Sequence, residues 1–422
     1  MDINELLKGI DCSCGKHHSC DIQSVYIETD AILWLKELCA EFSRILLVAD
    51  ENTFGAAGAQ TEAVLGSKIT GKVIFPGAEL LVPDERAIEA VQKELKDSDL
   101  IVGIGSGVIQ DLCKYVSFDS KVPYMVVATA PSMDGYAYNG AAMITDGMKV
   151  TYSRGLPTAI IADTSVLKEA PMEMLKAGYG DIIGKFSALN DWKLSHCVND
   201  EYFCPYLYDL TFEQVQKTLS LAQGILKREE ESVKTLMEAL VIVGILMSFA
   251  GSSRPASGSE HHLSHFFEIT GIVTKSDYFP HGIDVAYSTV VTAGIREELL
   301  SRPFPAVSYR PERSQYERDM KAIYHEVAQG CMALQDKVGN YAKDRSGIYL
   351  EKETEIRRIL SEMPSSAEIL SMLELVEMDM SRFYELYGKE KVESAILYAK
   401  DLKDRYTVLW MNYDFFGGEK QV

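Results

Sequence analysis

"DLIVGIGSGVIQDLCKY", residues 99–115, decides the fold class of this chain, because it joins an unbroken apolar run to a glycine-rich turn and the start of a helix. Unbroken apolar strands are typical of parallel sheets that are covered on both faces. Gly103, Gly105 and Gly107 let the backbone come close to a phosphate group, and the N-terminus of the following helix favours negative charge there. The spacing is G-x-G-x-G rather than the usual G-x-G-x-x-G dinucleotide fingerprint, so a plain tight turn is the alternative.

Three further apolar runs extend this pattern on both sides of the turn: "RILLVAD" at 44–50, "GKVIFPG" at 71–77 and "PYMVVATA" at 123–130. Strands that alternate with helical stretches predict a Rossmann-like parallel sheet, and therefore an α/β nucleotide-binding domain over residues 1–167. The strand signals stop there, and the remaining sequence predicts an all-helical domain over residues 168–422.

Two aspartates follow predicted strands, at the carboxyl edge where open α/β sheets bind ligands. Asp50 ends the first run and could accept hydrogen bonds from an adenosine ribose, which would favour NAD over NADP; capping of the next helix is the competing role. Asp134, in "ATAPSMDGYAY" after the last run, is a candidate contact to substrate. An isolated Asp-Gly pair is more often a turn.

The composition predicts a globular protein and excludes some partners. The chain has 422 residues, 47% hydrophobic content and a net charge of −20, so no overall basic surface is left for nucleic acid. The N-terminus has no basic segment followed by an apolar core, so we expect a cytoplasmic location. The longest apolar run, residues 239–251, is shorter than the roughly 20 residues that cross a bilayer, and we expect a buried helix and no membrane insertion.

"CSCGKHHSC", residues 12–20, holds five side chains of types that bind zinc: Cys12, Cys14, His17, His18 and Cys20. The C-x-C spacing differs from the C-x-x-C of common structural zinc sites. A solvent-facing segment that leads into the first strand is therefore the favoured interpretation, with a local zinc site as the alternative. The eight cysteines of the chain are expected to be reduced thiols rather than disulfides.

The predicted helical domain contains carboxylate and imidazole groups at helical spacing. Asp181 and Lys185, four apart in "AGYGDIIGKFSALNDWK", share one helix face, where an exposed ion pair is the alternative to a metal and anion site. His261 and His265 in "SGSEHHLSH" are also four apart, whereas His262 points about one hundred degrees away. Together with His281 in "DYFPHGIDVAYS", this mixture suits zinc, nickel or iron.

Taken in order, "GIGSGVIQD", "TAPSMDG", "GYGDIIGK", "SRPASGSEHHLSH" and "PHGIDVA" resemble the bacterial branch of the sn-glycerol-1-phosphate dehydrogenase family. That family belongs to the iron-containing alcohol dehydrogenase and dehydroquinate synthase-like superfamily, and the resemblance covers nearly the whole chain. It implies an N-terminal nucleotide-binding domain and a helical C-terminal domain that binds metal and substrate.

The resemblance also implies roles for individual residues. The metal ligands would be Asp181, His261 and His281, with His262 left for packing. Asp134 and His265 would contact substrate and act in catalysis, and Lys185 and Arg254 are candidates for the substrate phosphate. The expected cofactor contacts are Asp50, Gly105, Ser106, Gly107, Asp111, Thr129 and Ser132.

The implied activity is the interconversion of dihydroxyacetone phosphate and sn-glycerol 1-phosphate with NAD or NADP and one divalent metal, for which zinc, nickel, iron and manganese remain open. A homodimer is the family expectation. Three alternatives remain: a glycerol dehydrogenase, a dehydroquinate synthase-like cyclase that uses NAD transiently, and a catalytically silent nucleotide- or metal-binding sensor or subunit.

Overall fold

A computed structural model of the chain describes residues 2–78, 81–145 and 148–417. Its strands are β1 (Ile10–Asp11), β2 (His17–His18), β3 (Ser24–Glu28), β4 (Ile45–Asp50), β5 (Ile69–Phe75), β6 (Leu100–Gly105), β7 (Tyr124–Ala128), β8 (Gly140–Thr145), β9 (Met148–Ser153) and β10 (Ala159–Asp163).

The first ten helices are α1 (Ile3–Leu6), α2 (Leu35–Leu38), α3 (Glu51–Leu65), α4 (Glu85–Leu95), α5 (Gly107–Ser120), α6 (Thr164–Leu167), α7 (Met172–Asn199), α8 (Pro205–Leu219), α9 (Ala222–Leu226) and α10 (Glu230–Ala250). The remaining ones are α11 (Ser259–Thr274), α12 (His281–Ser301), α13 (Arg313–Tyr324), α14 (Ala328–Val338), α15 (Ser346–Glu351), α16 (Glu353–Ser361), α17 (Ser366–Glu374), α18 (Met380–Tyr398) and α19 (Val408–Phe416). Short 3₁₀ turns cover Ala31–Trp34, Gly66–Lys68, Gly135–Ala137, His325–Val327, Asn340–Ala342 and Ala399–Leu402.

Six strands form one parallel sheet in the order β3-β10-β7-β6-β4-β5. The chain moves outward from β4 to β5 and then returns to place β6 on the other side of β4. The strand order therefore reverses between β4 and β6, and open α/β sheets bind ligands beyond the carboxyl ends of strands at such a point. The two strands end at Asp50 and Gly105, so the residues that follow them flank the predicted nucleotide site.

Both faces of this sheet are buried, as the unbroken apolar runs predict. Along β4, Ile45, Leu47 and Ala49 pack into one apolar cluster together with residues of α3. Leu46 and Val48 point the other way, into a second cluster with residues of α4 and α5. Because side chains alternate along a strand, a fully apolar sequence is required when both faces are covered.

The Rossmann-like α/β class is confirmed, and the four quoted runs correspond to β4, β5, β6 and β7. Two other elements carry weaker sequence signals. The edge strand β3 has half-exposed alternate positions, and the antiparallel pair β8 and β9 begins in small residues, so neither has an unbroken bulky apolar run.

After β10, all regular secondary structure in the described residues is helical, as predicted. The chain divides into two compact units, one with Met1–Ile182 and Gln216–Ser253, the other with Ile183–Val215 and Arg254–Val422. Helix α7 runs through this division, so it belongs to both units. The predicted domain boundary after residue 167 stays a prediction.

Helix α10 contains the longest apolar run and lies in the first unit. Within the described part of the chain it is the one helix that is long and apolar enough to cross a membrane, with a mean hydropathy of 1.9 over its most apolar window. In that window 72% of the residues are buried inside the protein, which agrees with the buried helix predicted from the sequence.

Candidate active site

Three helices carry the predicted metal ligands. Asp181 lies on α7, His261 lies in the first turn of α11, and His281 is the first residue of α12. Each residue offers one ligand atom, and the three atoms lie within 4.8 Å of one another. We refer to Asp181, His261 and His281 as the helical group. Asp181 and His261 are buried, and His281 is half-buried.

Both imidazoles of this group have a polar partner at Nδ1. Nδ1 of His261 lies 2.7 Å from Oε1 of Glu260, and Nδ1 of His281 lies 3.3 Å from the hydroxyl of Ser264. Burial raises the pKa of Glu260, but the hydrogen bonds from the His261 ring and from the N–H of Gly258 favour the ionised form and lower that pKa. An ionised Glu260 accepts the Nδ1 proton of His261, which leaves Nε2 as the nitrogen with a lone pair for a metal.

The helical group fits a catalytic divalent metal. One carboxylate oxygen and two imidazole nitrogens suit zinc, nickel or iron, and three protein ligands leave coordination positions for a substrate. A partner on the second nitrogen of a ligating histidine is a common feature of metal sites, because it fixes the ring orientation and raises the basicity of the ligand.

A buried ion pair fixes the three helices that carry the helical group. Asp191 of α7 accepts the N–H of Ser259, the first residue of α11, at 2.6 Å and pairs with Arg296 of α12 at 2.9 Å. The N–H of Val408, the first residue of α19, also donates to Asp191 at 2.8 Å. Both charged side chains are almost completely buried, so each depends on the other for compensation.

Helix α7 also approaches α12 closely, because Gly184 leaves no side chain between them. A Cβ at position 184 would lie 2.5 Å from Cγ1 of Val285, one turn after His281. Real Cβ contacts are not this short, so only glycine allows the two helices this separation. The sequence pattern indicated Asp181 in this stretch, but it did not show that a glycine is needed three residues later for helix packing.

Asp134 lies beside Asp181 in the first unit. Its backbone N–H donates to Oδ2 of Asp181 at 3.0 Å, and its side chain is buried. The loop that contains it packs directly on α7, because a Cβ on Gly178 would lie 1.9 Å from the carbonyl oxygen of Pro131. The predicted substrate contact is thus held next to a predicted metal ligand.

The other two histidines of "SGSEHHLSH" separate as the helical spacing predicts. His265 lies beside the helical group, with its ring centroid 6.2 Å from that of His261 and 5.6 Å from that of His281. His262 is fully buried, and neither of its ring nitrogens has a hydrogen-bond partner among the described residues. Burial lowers the pKa of His262 well below its usual value, and Arg405 and Lys403 lower it further. A neutral, buried imidazole agrees with the packing role.

The two candidates for the substrate phosphate differ in their surroundings. Lys185 lies one helical turn after Asp181 on α7 and is fully buried. The Arg254 guanidinium pairs with Glu201 at 3.1 Å and donates to the carbonyl of Tyr406 at 2.7 Å. These contacts give Arg254 a structural role. A phosphate contact by Arg254 stays a prediction, and it would have to coexist with the Glu201 pair.

The glycine turn between β6 and α5 fits a dinucleotide. A Cβ on Gly105 would lie 2.7 Å from the Ile109 side chain, so glycine is needed for α5 to pack on its strand. At Gly107 a Cβ would meet only Met133 atoms, the nearest at 3.8 Å. Within the described residues, the Ser106 side chain makes no capping hydrogen bond at the start of α5. The first N–H groups of α5 are therefore not capped by Ser106 and can donate to an anion such as a pyrophosphate.

The other expected cofactor contacts lie around this turn. The N–H of Thr129 donates to the carbonyl of Gly105 at 3.3 Å, and Ser132 follows in the same buried loop. The Asp111 carboxylate accepts a hydrogen bond from the N–H of Ala142 at 3.2 Å, so this side chain has a structural role. Asp50 caps α3 by accepting the N–H of Thr53 at 2.8 Å, so the competing role named for it is present. Cofactor contacts by these four residues stay predictions.

Comparison with known proteins gives the family. A family model described as iron-containing alcohol dehydrogenase matches residues 26–171. A protein named glycerol-1-phosphate dehydrogenase [NAD(P)+] from Halalkalibacterium halodurans is 34% identical over 69% of this chain and 77% of its own length. The chain belongs to the glycerol-1-phosphate dehydrogenase family. A second member of the family, from Geobacillus thermodenitrificans, is 30% identical over 86% of this chain and 85% of its own length.

A solved structure agrees with the fold class. Maleylacetate reductase from Agrobacterium tumefaciens matches 96% of this chain and 99% of its own, with a TM-score of 0.60 and 14% sequence identity. At this identity the match supports the architecture and carries no argument about substrate.

Sequence reasoning missed the side chains that support the helical group. Glu260 precedes His261 directly, and a carboxylate next to a proposed ligand was a usable signal. Asp191, Arg296 and Ser264 had no such signal, because their roles depend on contacts between helices that are distant in sequence.

Proposed function

We propose that this protein interconverts dihydroxyacetone phosphate and sn-glycerol 1-phosphate, with NAD or NADP as the redox partner and a divalent metal held by the helical group. The observation that carries the proposal is the meeting of Asp181, His261 and His281 within 4.8 Å in a chain of this family. The NAD(P)-dependent dehydrogenase activity in the names of its relatives provides the second support.

The chain supplies binding, orientation and proton transfer. When bound, the metal supplies Lewis acidity toward the oxygen on C2 of the triose, and the nicotinamide supplies or accepts the hydride. Asp181, His261 and His281 would hold the metal, while Glu260 and Ser264 fix the orientation of the two imidazoles through Nδ1.

Reduction of a ketone adds a hydride to carbon and a proton to oxygen, so a proton donor is needed beside the helical group. We assign this role to a ring nitrogen of His265, whose ring lies beside that of His281. Asp134 would position the substrate hydroxyl groups and the nicotinamide, because its loop is fixed against α7 and its N–H holds Asp181.

Phosphate binding needs local positive charge, because the net charge of the chain is −20. Lys185, one helical turn from Asp181, is the cation that we assign to the substrate phosphate. Arg254 remains the second candidate from the sequence, although its guanidinium is engaged by Glu201.

Several finer assignments belong to the same proposal. We expect NAD to be preferred over NADP, because a carboxylate at Asp50 favours an unmodified ribose over a 2′-phosphate. We expect zinc, nickel or iron as the metal, a homodimer in solution and a cytoplasmic location. Manganese remains a fourth candidate metal, because the ligand set alone does not select among these ions.

The test is NADH oxidation by protein stripped with a chelator and then reconstituted in parallel with zinc, nickel, iron or manganese. Dihydroxyacetone phosphate and unphosphorylated dihydroxyacetone serve as alternative substrates. Turnover that needs added metal and the phosphorylated triose, with the sn-1 isomer as product, is the expected result.

Two other results would replace the proposal. Preference for the unphosphorylated triose would indicate a glycerol dehydrogenase and remove the role of Lys185. Absence of net NADH consumption, with phosphate released from a sugar-acid phosphate, would indicate a dehydroquinate synthase-like cyclase.

A further inference from the structure

A second group of potential metal ligands lies at the N-terminal hairpin. Strands β1 and β2 pair antiparallel, and the N–H of Cys12 donates to the carbonyl of Lys16 at 3.0 Å across the turn. Cys12, Cys14, His18 and Cys204 each offer one ligand atom, and these four atoms lie within 4.8 Å of one another. We refer to these four residues as the hairpin group.

His18 has the surroundings of a metal ligand. Its side chain is fully buried, and its Nδ1 lies 3.0 Å from the carbonyl oxygen of Phe249. A carbonyl oxygen only accepts hydrogen bonds, so Nδ1 donates to it, and in the neutral form of the ring the lone pair lies on Nε2. Nε2 is the atom that faces the hairpin group, 3.4 Å from the sulfur of Cys14. A backbone carbonyl on the second nitrogen is a common support for a ligating histidine.

The favoured sequence interpretation of "CSCGKHHSC" is therefore wrong for His18, which does not face solvent. The C-x-C spacing argued against zinc because only the local ligands were visible. Cys204, which is fully buried and precedes α8, offers a fourth ligand atom from a distant part of the sequence. His17 is exposed and lies 2.8 Å from Asp11, so it is not part of the hairpin group.

We propose that Cys12, Cys14, His18 and Cys204 bind one structural zinc ion. Three sulfur ligands and one nitrogen match the Cys₃His set of structural zinc sites, and four protein ligands leave no position for a substrate. Each of the three thiols loses its proton when the ion binds. Zinc affinity should consequently fall as the pH is lowered. The ion would connect two segments that are far apart in the sequence.

The test must separate this zinc from the metal of the helical group. Full-length protein without a polyhistidine tag is prepared with Asp181→Ala and His261→Ala, which removes two ligands of the helical group. Zinc per chain is then measured by elemental mass spectrometry after dialysis against zinc and gel filtration. We expect about one zinc per chain in this background, because the hairpin group is intact.

Single substitutions in the same background identify the ligands. Cys12→Ser, Cys14→Ser or Cys204→Ser should each reduce the zinc content at least tenfold. Cys20→Ser is the matched control, because Cys20 belongs to the same segment but not to the hairpin group, and burial raises the pKa of its thiol. Equal zinc content in the Cys12→Ser and Cys20→Ser proteins would overturn the proposal.

A spectroscopic measurement covers the case in which a serine variant fails to fold. Cobalt replaces zinc in the Asp181→Ala, His261→Ala protein, and thiolate ligands give a strong charge-transfer band in the near ultraviolet. The expected spectrum has this band and the visible bands of tetrahedral cobalt. A spectrum without the thiolate band would contradict the proposal. Neither measurement depends on turnover, so this inference and the proposed function can fail separately.

Discussion

The helical group and the hairpin group place metal-binding side chains in two different ways. The helical group offers one oxygen and two nitrogens from three long helices, whereas the hairpin group offers three sulfurs and one nitrogen, with three of the four residues in one short β-hairpin. A metal with three protein ligands keeps coordination positions for a reacting molecule, whereas four ligands of a Cys₃His set fill a tetrahedral coordination sphere. This difference is the basis for the catalytic role that we propose for the first group and the structural role that we propose for the second.

The largest expected effect separates the two groups directly. Asp181→Ala should remove the metal of the helical group and lower kcat/KM by at least about three orders of magnitude, because a metal Lewis acid contributes several kcal/mol to transition-state stabilisation. Cys12→Ser, compared at equal folded protein, should leave kcat/KM within about twofold while lowering the thermal midpoint, because it removes only a structural ion. Equal losses of turnover in both variants would break the comparison.

The next largest effect concerns the support of the helical group. Asp191→Asn should reduce the free energy of unfolding by about 3–5 kcal/mol, because it leaves Arg296 buried without a counter-charge. The measurement is urea denaturation with metal content followed in parallel. Glu317→Gln is the control, since its pair with Arg313 is exposed and should contribute about 0–1 kcal/mol. A loss of similar size in both variants would show that Asp191 does not anchor the three helices.

The two phosphate candidates should differ in kinetics. Lys185→Met should reduce kcat/KM for dihydroxyacetone phosphate by about 10–100-fold, as expected for one lost charge-assisted hydrogen bond, with a much smaller effect on unphosphorylated dihydroxyacetone. Arg254→Met should mainly lower stability, because its partners are Glu201 and a backbone carbonyl. A larger selective loss for Arg254→Met would reverse the assignment.

A smaller effect is expected at the partners of the ligating imidazoles. Glu260→Gln should weaken metal binding by about 10–100-fold, because it removes the charge that holds His261 at Nδ1. Ser264→Ala should have a weaker effect, since its contact with His281 is longer, at 3.3 Å. Competition with a chelator measures both. Zinc in the hairpin group should be unchanged in either variant, and a change there would mean that the two groups are not independent.

The smallest effect is a pH dependence that arises from the pair of Glu201 and Arg254. Burial raises the pKa of Glu201, but Arg254 outweighs it and holds that pKa below its usual value. The pair therefore stabilises the folded state above the ordinary glutamate pKa of about 4.3, and this stability is lost as the pH falls through the lower folded-state value. Glu201→Gln should flatten the decline of stability in this acidic range. An unchanged profile would exclude the pair as a source of acid sensitivity.

Much of the fold could be predicted from the sequence because buried parallel strands have a strong local signal. β4, β6 and β7 are almost unbroken apolar runs of strand length, and the end of the strand signals at residue 167 predicted the helical remainder. The edge strand β3 was not identified, because its residues alternate in exposure. The local sequence was thus sufficient to identify a strand wherever both faces of that strand are buried.

The candidate sites were predicted less completely, because metal ligands meet through tertiary contacts. Helical spacing distinguished His261 and His265 from His262, but the resemblance, and not the spacing, connected His261 with Asp181 and His281. No local sequence feature connects Cys204 with the N-terminal hairpin, so the sequence did not show that four potential ligands meet there.

The most direct test of the central claim compares wild-type and His261→Ala proteins, each with measured metal content, in NADH oxidation with dihydroxyacetone phosphate. We expect metal-dependent turnover in the wild type, and loss of both turnover and the metal of the helical group in the variant. Full turnover by His261→Ala, or wild-type turnover that persists after complete removal of metal, would contradict the claim that Asp181, His261 and His281 form the catalytic metal site.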